Sequence, residues 1–269
     1  MRHTLRNIIE EIAQELDAEK AAEELNLPYS YEVFDVLPED LEKFLANVKL
    51  DGMNVTIPHK VEVMRLLDDL DQSARDVGAV NTIVFDGIKI GYNTDGIGFL
   101  KSLEEEGVVL GGKNILVLGA GGASRAILVS LVDNGANVTL VNRTRQKAED
   151  LVSELDFQDV IKVVDYSSEN LKDVLEGADI IVNTTSLGMY PNVDETPVPK
   201  EFLKRSHTVF DVVYNPLKTR LLLDAGEVGC KTISGVNMLV HQGAESLRIW
   251  LGIEPPIQSM KDAVLENLN

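Results

Sequence analysis

The pattern of apolar residues differs between the first part of the chain and the part after about residue 113. Residues 52–58, GMNVTIP, alternate between apolar and polar positions, and residues 30–36, SYEVFDV, are rich in strand-forming types, so both segments predict strands. From about residue 113 the apolar runs become continuous, which is typical of parallel strands that helices cover on both faces. This second pattern predicts strands at 114–119, 137–142, 160–164, 178–183, 207–213 and 231–233.

The order of these elements predicts an α/β protein with two α/β domains. Residues 1–97 would form the first domain, and residues 98–234 would form an inserted domain built on a parallel sheet. Residues 235–269 would return to the first domain as helices. In this tail, one helical face carries Leu239, Gly243, Leu247, Trp250 and Leu251, and Gln242 lies on its flank.

A hairpin is predicted at AVNTIVF-DG-IKIGYN, residues 79–93. The Asp86-Gly87 pair between two strand-like runs is a strong signal for a two-residue turn. Such a turn pairs Phe85 with Ile88 and sets Asn81 opposite Tyr92. Asn81 and residues 93–95 are therefore expected at the same end of one hairpin.

A glycine-rich loop, VLGAGGASRAI at residues 117–127, follows a predicted strand and opens a predicted helix. Gly119 and Gly121 allow a tight turn and close approach of the backbone to a pyrophosphate, and the helix N-terminus presents free N–H groups and a positive dipole end. The third position of the fingerprint holds Ser124, which is small enough for helix and strand to pack. The loop predicts a Rossmann dinucleotide site in the inserted domain.

The choice of dinucleotide depends on the end of the second strand of that domain. An acidic residue there would bind a ribose 2′-hydroxyl and favour NAD, but the strand 137–142 leads into Asn142-Arg143-Thr144 instead. The planar guanidinium of Arg143 can hold a 2′-phosphate, and Lys147 lies one turn further on. The sequence therefore favours NADP over NAD.

Two ionisable residues are candidates for acid–base chemistry. Pro58 is expected to begin a helix, which would place Lys60 in the first turn, where the helix dipole disfavours a cation. Lys60 is therefore either an exposed lysine or a general acid–base whose pKa the helix end lowers. Asp95 precedes a predicted helix; it either caps that helix or, if Thr94 caps it, is free for catalysis.

Composition narrows the possible partners. The 269 residues include 25 basic and 44 acidic ones, so the net charge is −19, a sign that repels nucleic acid and anionic membrane surfaces. The single cysteine, Cys230, excludes an internal disulfide, and four scattered histidines suggest no metal site. With no signal-type segment and no apolar run of 18 residues, we expect a soluble protein of the reducing cytoplasm.

Several motifs in one order resemble the shikimate dehydrogenase family over about residues 20–269. They are NVTIPHK, GAVNTIV, GYNTDGIGF, LGAGGASRAI, NRT, NTTSLGMYP, FDVVYNPLKT and SGVNMLVHQGAESLRIWLG. The resemblance implies an N-terminal substrate and catalytic domain, an inserted Rossmann domain that binds NADP, and C-terminal helices that return to the substrate domain. It also implies the reversible, NADP-dependent reduction of 3-dehydroshikimate to shikimate in aromatic amino-acid biosynthesis.

The resemblance further implies roles for individual residues. Lys60 and Asp95 would be the catalytic pair, with Lys60 donating a proton to the carbonyl oxygen and Asp95 holding Lys60 and a substrate hydroxyl. The substrate-binding residues would be Thr56, Asn81, Tyr214, Gln242 and Thr4. The cofactor contacts would be Gly119, Ala120, Gly121, Gly122, Ala123, Asn142, Arg143, Thr144, Lys147, Thr184, Thr185, Ser186, Val212, Gly235 and Met238.

One family motif has no clear counterpart. Members usually begin with a short strand, a glycine–proline turn and His-Ser-x-Ser-Pro, whose two serines hold the substrate carboxylate. This chain begins MRHTLR, where Thr4 could stand in for the first serine and Arg6 for the second. Two alternatives stay open: a dehydrogenase of quinate or a related polyol acid, and a catalytically inactive dinucleotide-binding paralogue. The expected partner is a small cyclic hydroxy acid, and the expected assembly is a monomer or homodimer.

Overall fold

A computed structural model describes Glu24 and residues 31–268 of the chain. These residues form two compact units: the first contains the described residues up to Gly98 together with Leu239–Asn267, and the second contains Phe99–Met238. The chain passes from the first unit to the second within one helix and returns within another. None of the helices in the described residues has the length and apolar character needed to cross a membrane.

The described strands are β1 (Gly52–Asn54), β2 (Asp69–Leu70), β3 (Thr82–Asp86), β4 (Ile88–Tyr92), β5 (Asn114–Leu118), β6 (Asn137–Asn142), β7 (Lys162–Asp165), β8 (Ile180–Asn183), β9 (Thr208–Asp211) and β10 (Lys231–Ser234). The described α-helices are α1 (Leu41–Asn47), α2 (Gln72–Val77), α3 (Asp95–Glu105), α4 (Gly122–Asp133), α5 (Arg145–Glu154), α6 (Ser168–Gly177), α7 (Arg220–Val228), α8 (Gly235–Leu251) and α9 (Ile257–Leu268). Short 3-10 helices cover Pro38–Asp40, Glu62–Leu66 and Lys200–Phe202.

The first unit is built on a four-stranded mixed sheet in the order β1-β3-β4-β2. β3 runs antiparallel to both β1 and β4, and β2 runs parallel to β4. The core of this unit contains Leu41, Leu45, Val63, Val80 and Ile83, all of which are buried. Ile83 of β3 therefore shares one apolar core with residues of α1 and of the 3-10 helix Glu62–Leu66.

The hairpin β3–β4 forms where it was predicted, but its register differs by one residue. Phe85 pairs with Lys89 rather than with Ile88, and Thr82 pairs with Tyr92. The cause is the turn: Asp86 and Ile88 already pair with each other, and Gly87 alone connects them at a φ of +72°. A glycine accepts this backbone conformation without the steric cost that a side chain would add.

The strand predicted over residues 30–36 is wrong for its described part, because residues 31–37 have no regular secondary structure. Within the described part of the chain, β1 has a hydrogen-bonded neighbour only on its β3 side. Side chains hold this segment instead of a strand ladder: the Tyr31 hydroxyl donates to Asn54 Oδ1 at 3.0 Å, and His59 Nε2 lies 2.8 Å from Val36 O.

The helix predicted to begin at Pro58 is also wrong. Residues 57–61 form turns, and a 3-10 helix begins only at Glu62. The carbonyl of Lys60, which a helix would use for its own hydrogen bonds, accepts from the backbone N–H of Val80 at 2.7 Å. The alternation predicted for 52–58 also ends early, so that Val55 is buried but Ile57 is 51% exposed.

The second unit contains a six-stranded parallel sheet in the order β10-β9-β8-β5-β6-β7. All six strands lie at the predicted segments, with their ends shifted by at most a few residues. Apolar residues of these strands, among them Leu116, Ile181 and Val209, share one core with residues of α6 and α7 such as Leu221. The strand order reverses between β5 and β8, and in such sheets ligands bind at the carboxyl ends of the strands at this reversal.

Helix α8 packs closely on the sheet of the first unit. The indole N–H of Trp250 donates to Ile83 O at 2.9 Å. A Cβ atom added to Gly52, on the neighbouring strand β1, would overlap the indole ring of Trp250. Gly52 is therefore a position where the absence of a side chain lets the indole ring reach the sheet.

We predict that Gly52→Ala lowers the free energy of unfolding of the first unit by about 1–3 kcal/mol, because the added methyl group overpacks the contact with Trp250. Gly226→Ala is a suitable control, since no atom lies within 4 Å of its added Cβ in helix α7. That control should be neutral or stabilise by about 0.5–1 kcal/mol. Denaturant unfolding of the two variants measures both effects, and equal stability of Gly52→Ala and the parent protein would contradict the packing argument.

Candidate functional site

The central contact of the first unit joins Lys60 and Asp95. Lys60 Nζ lies 2.7 Å from Asp95 Oδ2, although the two residues are 35 positions apart in the chain. The side chains are only 19% and 8% exposed. The ion pair is therefore largely withdrawn from water and still partly accessible to it.

Lys60 is positioned by the backbone of the turn that follows β1. The N–H of Val55 donates to Asn81 O at 2.8 Å, and Lys60 O accepts from the N–H of Val80 at 2.7 Å. These two hydrogen bonds fasten the turn to the residues that lead into β3. The position of Lys60 thus follows from strand-like pairing on both sides of the turn, and the predicted helix end plays no part in it.

Asp95 is the first residue of α3, and a different residue satisfies the helix start. Asn93 Oδ1 accepts the backbone N–H of Asp95 at 3.1 Å, and Asn93 Nδ2 donates to Ala79 O at 3.0 Å. The sequence left open whether Asp95 or Thr94 caps the helix, and it missed Asn93. An asparagine that bonds the backbone two residues on is a recognised turn signal and could have been found. Its effect here is to leave the Asp95 carboxylate available to Lys60.

Asn81 holds the second oxygen of that carboxylate. Its Oδ1 accepts the backbone N–H of Thr94 at 2.8 Å, and its Nδ2 donates to Asp95 Oδ1 at 2.9 Å and to Gln242 Oε1 at 3.3 Å. A backbone N–H can only donate, so the contact with Thr94 fixes which end of the Asn81 amide faces Asp95. Asp95 therefore has a donor on each oxygen, Lys60 on one and Asn81 on the other.

A further layer of polar residues supports Asn81. The hydroxyl of Thr82 donates to Asn81 Oδ1 at 3.0 Å and lies 2.7 Å from the hydroxyl of Ser246, and Asn54 Nδ2 donates to Ser246 Oγ at 3.1 Å. Thr82 and Ser246 are fully buried. Sequence reasoning missed both as supports, but Ser246 follows Gln242 by four residues, which places the two on the same face of α8.

The other predicted substrate residues have the following places. Thr56 is half-buried in the turn that carries Lys60, and its carbonyl accepts the N–H of His59 at 2.9 Å. Gln242 is buried on α8 and donates to Leu239 O at 3.0 Å. Tyr214 is half-buried and follows β9 in the second unit. Thr4 lies outside the described residues.

The glycine loop of the second unit lies at the reversal of strand order, between β5 and α4. Gly119 has a φ of +107°, and a Cβ added to it would lie 2.7 Å from Thr184 Oγ1. In contrast, nothing lies within 4 Å of a Cβ added to Gly121 or Gly122. Gly119 is thus required by the protein's own packing, whereas the backbone of Gly121 and Gly122 borders open space at the start of α4.

The segment after β8 closes the other side of this loop. The Thr184 hydroxyl donates to Leu118 O at 2.8 Å and lies 3.0 Å from the hydroxyl of Ser124, which in turn donates to Gly119 O. Ser124 is buried, as expected for a small residue at the helix–strand contact. Predicted contacts from both sides therefore meet here; the remaining members, Ala120, Ala123, Thr185 and Ser186, lie in the same two segments.

The basic residues after β6 differ in their surroundings. Arg145 is already paired with Glu149 at 2.7 Å and with Asp165 at 2.9 Å. Arg143 and Lys147 are exposed, and neither side chain forms an ion pair within the described residues. Asn142 Nδ2 donates to Thr144 O at 2.8 Å, which holds the chain at this turn.

The last group of predicted cofactor contacts lies near the start of α8. Gly235 begins this helix, and a Cβ added to it would overlap the carbonyl oxygen of Val212. Val212 is half-buried after β9, and Met238 is buried in the first turns of α8. Gly235 and Val212 thus form a backbone-to-backbone contact that no other residue type would permit.

These features fit a dinucleotide. The start of α4 is bordered by open space, Gly121 provides no side chain that caps it, and the N–H groups of a helix start bind phosphate. Arg143 and Lys147, which form no ion pair within the described residues, follow β6, the strand after α4. A 2′-phosphate would be recognised at the end of this strand.

The sequence matches family models along most of its length. One described as the shikimate dehydrogenase substrate binding domain matches residues 16–83, and one described as shikimate / quinate 5-dehydrogenase matches residues 102–212. A third, described as the shikimate 5'-dehydrogenase C-terminal domain, matches residues 235–265.

Individual relatives agree with these models. The shikimate dehydrogenase (NADP(+)) of Methanocaldococcus jannaschii is 46% identical over 258 residues, which cover 92% of this chain and 90% of that protein. A solved shikimate dehydrogenase in complex with NADP+ is similar with a TM-score of 0.88 at 44% identity, over 95% of this chain and 91% of that one. The Thermus thermophilus shikimate 5-dehydrogenase, solved with NADP(H) and shikimate, has a TM-score of 0.83 at 34% identity, with 94% of each chain covered.

We predict different effects for two alanine substitutions in the glycine loop. Gly119→Ala should lower the free energy of unfolding of the second unit by about 2–4 kcal/mol, because it combines backbone strain with a clash against Thr184. Gly121→Ala should change it by less than about 0.5 kcal/mol, since its backbone is extended and its Cβ meets only open space. Denaturant unfolding without added nucleotide measures both, and a large loss for Gly121→Ala would be inconsistent with the open space described.

Proposed function

The chain belongs to the shikimate dehydrogenase family, and we infer that it catalyses the NADP-dependent, reversible reduction of 3-dehydroshikimate to shikimate. The observation that carries this inference is the contact of 2.7 Å between Lys60 and Asp95. Reduction of a ketone needs one proton donor and one oriented hydride, and it needs no metal. The two side chains supply the donor and the group that orients it.

We propose that Lys60 is the general acid. Its ammonium group transfers a proton to the substrate carbonyl oxygen as a hydride adds to the carbonyl carbon, which leaves an alcohol and a neutral amine; in the reverse direction the amine accepts the proton. Bound NADPH supplies the hydride. Asp95 keeps the ammonium group in place and accepts a hydrogen bond from a substrate hydroxyl.

The residues around this pair suit a polyhydroxylated ring. Asn81 and Gln242 present amide groups and Thr56 a hydroxyl, all of which hydrogen-bond to hydroxyls without adding charge. We propose the phenol of Tyr214, in the second unit, as a further substrate contact. Asn81 donates hydrogen bonds to both Asp95 and Gln242, and these bonds fix the positions of the three side chains relative to one another. We propose Thr4 as a further substrate contact, on the motif comparison alone.

The cofactor would be held by backbone and cations in the second unit. We propose that the N–H groups of Gly121, Gly122 and Ala123 bind the pyrophosphate, and that Arg143 and Lys147 hold the 2′-phosphate. The other proposed contacts are Gly119, Ala120, Asn142, Thr144, Thr184, Thr185, Ser186, Val212, Gly235 and Met238. The division into a substrate domain, residues 1–97 and 235–269, and a cofactor domain, residues 98–234, is proposed on the same basis.

We also propose that the protein acts in the cytoplasm as a monomer or homodimer, with neither nucleic acid nor a membrane as partner. A net charge of −19 supports this proposal, because it opposes binding to phosphate-rich surfaces.

The activity is tested by following NADPH absorbance with purified protein and 3-dehydroshikimate. We predict turnover in the parent protein and a loss of about 10²–10⁴-fold in Lys60→Ala, since the variant lacks the proton donor. NADP+ affinity should change little. Lys89→Ala, which removes a lysine on β4 that lies 3.9 Å from Asp68, serves as the control and should retain turnover.

Other outcomes of this assay separate the alternatives. Turnover of quinate with NADP+, but not of shikimate, would identify a quinate-type dehydrogenase. Binding of NADP+ without turnover of either acid would identify an inactive paralogue. Near-parent turnover in Lys60→Ala would rule out the proton-transfer role of this residue.

We predict that Arg143→Ala weakens NADP+ binding by about tenfold or more while it changes NAD+ binding much less, because only NADP+ carries the 2′-phosphate. Arg145→Ala is the matched control: Glu149 and Asp165 already neutralise Arg145, so its loss should affect NADP+ less. Titration calorimetry gives both dissociation constants. An equal loss of NADP+ and NAD+ affinity in Arg143→Ala would contradict the phosphate assignment.

A further inference from the structure

We propose that Asp211 is a positioning residue of the cofactor site: its buried carboxylate holds the segments after β8 and β9 in the arrangement that binds NADP. This inference rests on the proposed function, because the ligand is the cofactor of that function. Asp211 would not touch the cofactor itself, and it would act through Asn183 and through the backbone of Val213.

Asp211 is the last residue of β9 and is fully buried. One carboxylate oxygen, Oδ1, accepts from Asn183 Nδ2 at 2.9 Å and from the backbone N–H of Val213 at 3.1 Å. The other, Oδ2, accepts from the hydroxyl of Thr219 at 2.6 Å. Three donors from β8, from the chain after β9 and from the start of α7 therefore converge on one side chain.

The first branch of this arrangement leads to the glycine loop. Asn183, the last residue of β8, accepts the Thr185 backbone N–H at 3.0 Å and the Thr185 hydroxyl at 2.7 Å, both on Oδ1. This shapes the turn whose Thr184 and Thr185 would contact a Cβ at Gly119. Through Asn183, Asp211 therefore holds the turn at Thr184 and Thr185, against which the glycine loop packs.

The second branch leads to the start of α8. The backbone N–H of Val213 bonds to Asp211 Oδ1, and the N–H of Val212 donates to Asn183 O at 3.0 Å. The carbonyl oxygen of Val212 is the atom that a Cβ at Gly235 would overlap. Val212 and Gly235 are both proposed cofactor contacts. The backbone at their point of contact is thus held by hydrogen bonds to Asp211 and Asn183.

The chemistry of the three donors explains why a carboxylate occupies this position. An ionised carboxylate only accepts hydrogen bonds, whereas an asparagine amide would present a donor to Thr219 and a leucine would satisfy none of the three. Neither adjacent strand places a charged residue opposite Asp211, since its partners in register are Asn183 on β8 and Ser234 on β10. Burial raises the pKa of Asp211 to about 6, against the lowering effect of its three hydrogen bonds.

The sign of the resulting pH dependence follows from these contacts. Above the native pKa of about 6 the carboxylate accepts all three donors; as the pH falls through that value, the added proton turns one oxygen into a donor. NADP+ affinity should therefore fall in this range. The pKa of Asp211 is about 6 in the folded state and near 3.8 in the unfolded chain, so the folded state binds this proton more readily. The contribution of Asp211 to the free energy of unfolding therefore does not fall when the NADP+ affinity falls.

The test compares Asp211→Asn with the parent protein in the absence of substrate. NADP+ dissociation constants from calorimetry should rise by about tenfold. The unfolding midpoint without nucleotide should also fall, because the variant turns a buried donor toward the Thr219 hydroxyl, so binding is measured well below that midpoint. Asp224→Asn is the matched control, because Asp224 is another buried carboxylate of the same unit whose ion-pair partner is Arg220 on its own helix. This control should retain NADP+ affinity, and an equal loss in both variants would reduce Asp211 to a purely structural role.

The pH dependence keeps the proposal testable if Asp211→Asn does not fold. NAD+ lacks the 2′-phosphate, which itself titrates near pH 6, so the decrease in affinity through about pH 6 should be visible with NAD+ and the parent protein. A flat NAD+ profile between about pH 5 and pH 8 would overturn the proposal, as would parent-like NADP+ binding in Asp211→Asn. Failure of the proposed function is distinguishable, because it appears as NADP+ binding without turnover; absence of NADP+ binding in the parent would overturn both.

Discussion

The first unit depends on one constraint: an ammonium group and a carboxylate must remain paired while most of their surface is withdrawn from water. Removing such ions from water costs several kcal/mol each, and good geometry with additional hydrogen bonds must offset this cost. The second donor on Asp95 comes from Asn81, and Thr94 fixes the direction of that amide. The hydrogen bonds from the surrounding polar residues therefore help to offset the cost of burying the Lys60–Asp95 ion pair.

The sequence was most informative where structure depends on local pattern. The six parallel strands follow from apolar runs long enough to be buried on both faces, and the glycine loop follows from residues that must lack side chains. The pairing of Lys60 with Asp95 needed the family resemblance, because spacing alone left each of them a structural alternative. The turn at residues 57–61 could not be read locally, because Val80, a distant residue, takes the carbonyl that a helix would have used.

Sequence reasoning also missed the groups that act behind the site. Thr82, Asn93 and Ser246 are ordinary polar residues by type, and their importance arises only from which atoms meet in the fold. Asp211 is similar, since its three donors come from separate segments. A sequence pattern predicts which residues can perform the chemistry. The residues that hold those side chains in position are identified only by contacts between distant parts of the chain.

Helix α8 has a consequence for how the protein is made. Trp250, Ser246 and Gln242 belong to this helix, and they contact a unit whose described strands, β1 to β4, all lie before residue 93. During synthesis, all of Phe99–Met238 leaves the ribosome before these three residues do, so the first part of the polypeptide must wait for helix α8. Translation that stops short of residue 242 would yield a product that contains Lys60, Asp95 and all of Phe99–Met238, yet lacks the Gln242 amide that bonds to Asn81 and the Ser246 hydroxyl that bonds to Thr82.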